Sequence, residues 1–134
     1  MATRPITGGL FVHDGAEPRL LAGRCPSCRG LHFPRGTTCP YCAAEGCVET
    51  PVGPTARLCL YTAVTARPPG YRGPLPYGFG VVELEDGLRV IARLTDSDTG
   101  RLRPGLAMRL VVEALFTDDD GREVLSYAFR PEPA

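Results

Sequence analysis

The chain has 134 residues, enough for one ordinary domain or two very small ones. Fifteen basic residues, all of them Arg, balance fifteen acidic ones. That neutrality argues against a general nucleic-acid binder, which carries a basic excess, and sixteen Gly with fourteen Pro argue for strands and loops over helices. The start of the chain lacks the apolar core of a signal peptide, and no later segment has the length of a membrane span. The expectation is therefore a cytoplasmic protein whose thiols stay reduced.

Residues 8–15 are too rich in glycine for more than a strand or a turn. Residues 17–24 then read as a strand leading into Cys25-Pro26-Ser27-Cys28, residues 30–34 as the return strand, and Arg35-Gly36 as the turn into Cys39-Pro40-Tyr41-Cys42. Each Cys-x-x-Cys knuckle places two sulfurs on one tight turn, and two facing knuckles supply a tetrahedral four-thiolate site. Zinc is the default occupant because it takes four thiolates without redox demands; iron in a rubredoxin-type site is the alternative. Two disulfides would require an oxidising compartment. With Cys25, Cys28, Cys39 and Cys42 all committed, the site has no open position for water, so its metal is structural.

Residues 49–54, with two Pro and a Gly, read as the boundary between a ribbon over 1–53 and a second unit over 54–134. Beyond it come strands at 57–65, 78–85, 88–95, 107–116 and 122–129. In the first, Leu58, Leu60, Thr62 and Val64 are expected on one face and Cys59, Tyr61 and Ala63 on the other. Asp86-Gly87 between the second and third is a hairpin signal. In the third, Leu88, Val90, Ala92 and Leu94 alternate with Arg89 and Arg93. Residues 96–102 leave room for a short helical turn, and Asp118-Asp119-Asp120 before Gly121 reads as an acidic hairpin turn, not a cation site. Five strands in so short a span favour an OB-type Greek-key barrel over a sandwich, which needs more strands.

Catalysis by this chain alone is not expected. It holds two histidines, His13 and His32, and two spare thiols, Cys47 and Cys59. Cys59 sits mid-strand like a small hydrophobe and Cys47 lies close behind the second knuckle, so neither makes a nucleophile–base pair. The better functional candidates are contact residues. Four prolines stiffen residues 68–77, and Tyr71, Arg72 and Tyr77 are types that anchor interfaces. Phe79 follows on the next strand. Arg89 and Arg93 share one side of their strand, where they could meet a CoA phosphate or simply face water.

Taken together, Arg24-Cys25-Pro26-x-Cys28, Phe33-Pro34-Arg35, Cys39-Pro40-x-Cys42, Leu60-Tyr61-Thr62, Val81-Val82-Glu83-Leu84, Gly87-Leu88-Arg89-Val90 and Gly105 resemble the thiolase-associated family of small OB-fold proteins with a rubredoxin-like zinc ribbon. Many members begin with an aromatic-bearing helix that this chain lacks, so contacts made by that helix do not carry over. The proline-rich loop is similar to that of a subgroup, the small subunits of thiolases for bulky acyl-CoA thioesters such as benzoylsuccinyl-CoA. The resemblance implies a non-catalytic accessory subunit. It would bind a thiolase-fold large subunit and help shape that enzyme's acyl-CoA site, where the nucleophilic cysteine and histidines belong to the partner. Neither nucleic acid nor membrane is an expected partner. The alternatives are a single-stranded nucleic-acid binder, a role open to OB barrels and ribbons, and a rubredoxin-like electron carrier.

Overall fold

A computed structural model describes residues 2–13 and 17–132. Among them run ten strands: β1 (Thr3–Pro5), β2 (Phe11–Val12), β3 (Arg19–Arg24), β4 (Leu31–His32), β5 (Val48–Val52), β6 (Thr55–Val64), β7 (Tyr77–Glu83), β8 (Arg89–Leu94), β9 (Ala107–Thr117) and β10 (Glu123–Pro131). Of the glycine-rich start, Phe11–Val12 forms β2, while Asp14 and Gly15 lie outside the described residues.

The ribbon sheet is organised by β3, whose Leu20, Leu21 and Ala22 are all buried. Antiparallel β5 lies on one side of it, and β2 and β4 lie on the other. Residues 49–54, read from sequence as a boundary, supply most of β5. Pro51 is tolerated there because the strand pairs on one side only, so its missing N–H faces outward.

The remaining strands close a barrel in the order β6–β7–β8–β10–β9 and back to β6. All neighbours are antiparallel except β8 and β10, which meet in parallel at Leu94 and Phe129. This is the five-stranded Greek key of an OB-fold, and β1 adds a short parallel strand along β10. The Asp86-Gly87 hairpin forms as read, both residues at positive φ (54° and 74°) and the Leu88 N–H donating to the Glu85 carbonyl at 3.0 Å. Around residues 96–102 there is a single turn, closed by the Arg101 N–H on the Asp98 carbonyl, in place of a helix. The Asp118 carboxylate builds the last hairpin by accepting the N–H groups of Asp120 and Arg122, and it holds the Arg4 guanidinium of β1 at 2.7 Å.

One expected alternation fails. In β6 the register shifts between Leu58 and Leu60 opposite Val82 and Val81, leaving Cys59 as an extra bulged residue. Leu58 stays in the core, Leu60 turns outward and is 66% exposed, and Tyr61 packs inward. The bulge needs a neighbour without a side chain, since a Cβ at Gly80 would overlap the Leu60 carbonyl oxygen. Gly78 and Gly80 together mark where β7 is approached this closely.

The barrel core is built around Phe129, Leu58, Leu94, Met108 and Leu110, and it runs without a break into Leu20, Ala22, Leu31 and Val52 of the ribbon. Phe11 and Phe33 meet Tyr127 edge-on at 6.5 and 5.6 Å, sealing the same junction. Among the described residues, the knuckle end has a separate packing cluster, made of Cys25, Cys39, Cys47 and the edge of Ala44.

Candidate metal centre and contact surface

The two knuckles repeat each other bond for bond. Cys25 N–H donates to the Gly30 carbonyl and Cys39 N–H to that of Ala44; Arg29 N–H returns to Cys25 and Ala43 N–H to Cys39. Arg29 and Ala43 both lie in the left-handed region, at φ 65° and 66°, which turns each knuckle back on itself. The turns aim their amides at sulfur: Ser27 and Cys28 N–H at Cys25 Sγ (3.3 and 3.4 Å), Tyr41 N–H at Cys39 Sγ (3.4 Å).

Cys25 and Cys42 sulfurs stand 3.6 Å apart, those of Cys28 and Cys39 3.7 Å, and all four lie within 4.8 Å of one another. A tetrahedral ion with metal–sulfur bonds of about 2.3 Å sets sulfur–sulfur edges of about 3.8 Å. The donor set therefore fits a four-thiolate metal. The thiols also show why a cation belongs there. The Cys28 amide leads in bringing Cys25 down to about 6. Cys28 itself is pushed up to about 12, against the pull of the Gly30 amide, by burial and by its three thiol neighbours. Four sulfurs at one point resist becoming four anions, and a divalent ion cancels that repulsion. Freshly purified protein is expected to carry one metal ion per chain by elemental analysis, unchanged by Cys59→Ala.

The remaining candidates for chemistry are placed as follows. His32 is buried, and its Nε2 accepts the Gly36 N–H at 3.0 Å. Cys47 is buried against Cys25 and Cys39, where burial raises its thiol above the ordinary value. Cys59 occupies the β6 bulge. Among the described residues no Cys–His pair forms a hydrogen bond.

The contact candidates divide. Tyr71, Tyr77 and Phe79 come together: Tyr71 and Tyr77 rings are 4.8 Å apart, and Tyr77 meets Phe79 edge-on at 6.5 Å. The loop is held by its own bonds, Tyr71 OH donating to the Pro74 carbonyl (2.8 Å) and Arg67 to the Tyr71 and Gly73 carbonyls (3.1 and 2.9 Å). Arg72 turns elsewhere, over the Phe116 ring at 4.7 Å and beside Asp119 at 3.3 Å. Arg89 and Arg93 do not form a bare basic face, because Arg89 pairs with Glu83 (3.4 Å) and Arg93 with Glu113 (2.6 Å). Sequence reading missed Leu60 and Ile91, both large, apolar and exposed on this same side of the barrel. The glycine pair in β7 was the available signal for Leu60. Arg24 ties the ribbon to the barrel, donating to the Arg29 carbonyl of the first knuckle (2.6 Å) and to Asp86 at the β7–β8 hairpin (2.5 Å).

Fold and site together define a four-cysteine, rubredoxin-like ribbon set on an OB barrel. Two family models match in that order: "ChsH2, rubredoxin-like zinc ribbon domain" over residues 13–46 and "ChsH2, C-terminal OB-fold domain" over residues 49–113. A "DUF35 domain-containing scaffold protein" of Pyrococcus furiosus is 31% identical over 120 residues, 89% of this chain and 88% of that protein. "Benzoylsuccinyl-CoA thiolase subunit BbsA" of Thauera aromatica is 31% identical, over 87% of this chain and 79% of that one. Among solved structures, the "Ltp2-ChsH2(DUF35) aldolase" superimposes with a TM-score of 0.62 at 26% identity, covering 84% of both chains. The chain belongs to the DUF35 family of zinc-ribbon OB-fold proteins.

Proposed function

We propose that this chain is the non-catalytic accessory subunit of a cytoplasmic, thiolase-fold enzyme acting on acyl-CoA thioesters. The partner performs the Claisen, retro-Claisen or retro-aldol step, and this chain shapes the acyl-CoA site from outside. Zinc is the structural ion of the ribbon. The observation that carries the reading is the aromatic run Tyr71–Tyr77–Phe79, braced on the outer side of the barrel strands where OB proteins take their ligands. Rings held in place lose little entropy on contact and suit the apolar portions of a thioester at a shared entrance. Relatives named as a thiolase subunit and as part of an aldolase complex support the same reading. Among the described residues no helix is long and apolar enough to cross a membrane.

The isolated chain is expected to show no acyl-CoA turnover, whereas a complex with its thiolase-fold partner turns over. In that complex Tyr77→Ala should weaken assembly or raise KM by about tenfold, the effect of losing one interface anchor worth more than 1 kcal/mol. Arg72→Ala, whose guanidinium is already taken up by Phe116 and Asp119, should change neither. Turnover by the chain alone would refute the reading. The four-sulfur geometry also suits iron, which would make the protein an electron carrier; purified protein with visible absorption would favour that reading over colourless zinc.

A further inference from the structure

The outer side of the β6–β7–β8 sheet carries a ladder that the bulge creates. Leu60 on β6 stands opposite Val81 on β7, and Val81 stands opposite Ile91 on β8. The row beside it sets Phe79 between Thr62 and Arg93. Leu60 is 66% exposed, Ile91 62% and Phe79 38%, so three large apolar side chains face water on neighbouring strands. Scattered surface leucines need no explanation, whereas a contiguous patch in register does. Here the backbone is adapted to produce it: the Cys59 bulge reverses the direction of Leu60, and Gly80 leaves room for the bulge.

We infer that the Leu60–Val81–Ile91 ladder, with Phe79, is the seat of the partner subunit, a thiolase-type chain presenting an apolar patch of its own. The inference rests on the accessory-subunit reading and names the surface it uses. The charges around the ladder decide the class of occupant. Arg89 is paired with Glu83 and Arg93 with Glu113, while Arg57 gives Nη1 to the Gly105 carbonyl at 3.1 Å. To reach Arg89 or Arg93, a phosphate chain from nucleic acid or CoA would have to displace Glu83 or Glu113; among the described residues that leaves Arg57, held by a neutral carbonyl, as the cation beside the ladder, too little for a phosphate track. An apolar protein surface meets no such penalty and gains by burying all three side chains. The ladder also continues through Phe79 into the Tyr77–Tyr71 run, so one partner can cover both. That the partner is a different chain agrees with the relatives, which are named as a subunit and as part of a two-protein complex.

The test uses the full chain co-expressed with the thiolase-fold protein of its own genome. Ile91→Asp and Leu60→Asp should each weaken the complex at least about thirtyfold in sedimentation or calorimetric titration, the range of an interface hot spot. Val48→Asp, an equally exposed apolar site on the ribbon, should leave affinity unchanged. Metal content and circular dichroism check that the variants fold. Benzoylphenylalanine in place of Ile91 gives a second readout that needs no destabilising change, and ultraviolet light should cross-link it to the thiolase-fold chain. Unchanged affinity in both Asp variants would overturn the ladder as the seat while leaving the accessory role standing. So would a cross-link joining two copies of this chain, which would make the face a self-interface. If the wild-type chain forms no complex at all, the accessory-subunit reading falls and the ladder falls with it.

Discussion

Removing the metal is expected to melt the two knuckles of the ribbon, residues 25–30 and 36–47, while leaving the barrel folded. The two ends of the ribbon are held by different forces. At its root, Leu20, Ala22, Leu31 and Val52 are packed into the barrel core and keep their contacts whatever happens to the sulfurs. At its tip the buried cluster is little more than Cys25, Cys39 and Cys47. Sulfurs at such separations hold the knuckles together only through a shared cation, whose apparent binding energy in structural zinc sites is about 10–16 kcal/mol near neutral pH. Hydrogen exchange after chelation should therefore lose protection at the Cys25, Arg29, Cys39 and Ala43 amides while that of β7, β8 and β9 persists. Cys25→Ser or Cys39→Ser should do the same without chelator. Falling pH should act in the same direction, because protons compete with metal for thiolate sulfur. A metal-free protein with fully protected knuckle amides would contradict this division of labour.

The second large effect is expected at Gly80. An added methyl group would run into the Leu60 carbonyl oxygen and crowd the Tyr61 Cα, both backbone atoms of the bulged strand. Backbone yields less readily than a flexible side-chain end. Overpacking of this kind costs about 1–3 kcal/mol, which for a chain of this size lowers Tm by on the order of 5–15 °C. Gly80→Ala should thus destabilise the barrel clearly in a thermal melt. Gly8→Ala, where an added Cβ would meet no atom within 4 Å, should stay within about 0.5 kcal/mol of wild type. Equal melting temperatures for the two variants would mean that the bulge can relax, and that the outward turn of Leu60 is not imposed by its neighbour.

How much was legible in the sequence followed the range of the interactions involved. The convergence of the four knuckle sulfurs, the Asp86-Gly87 turn and the buried side of β8 depend on residues close together in the chain, and all three form as read. The faces of β6 depend on Gly80, across a strand pair, so strict alternation placed Leu60 on the wrong side. Strand β5 was hidden because Pro51 and Pro54 look like punctuation until β3 is seen to pair with only one edge of it. The pairing of Arg93 was invisible for a similar reason: its carboxylate, Glu113, comes from β9, twenty positions away and brought near only by barrel closure. Tyr71 and Arg72 are adjacent in sequence yet go to different neighbours, Tyr71 to the Tyr77 ring and Arg72 to the Phe116 ring, a division set by the folded loop.

The shared core has a consequence for inheritance. Many ribbon modules can be passed between proteins as cassettes because they close their own interior. Here the residues that close the ribbon's root are also packing residues of the barrel, and only Gly53 and Pro54 separate β5 from β6. A recombination break at that joint would expose apolar surface on both products. Ribbon and barrel are therefore bound to diverge as one lineage, each substitution at Leu20 or Val52 answerable to the partner half. The thiolate tip, which shares none of that packing, remains the portion free to drift so long as its four sulfurs are kept.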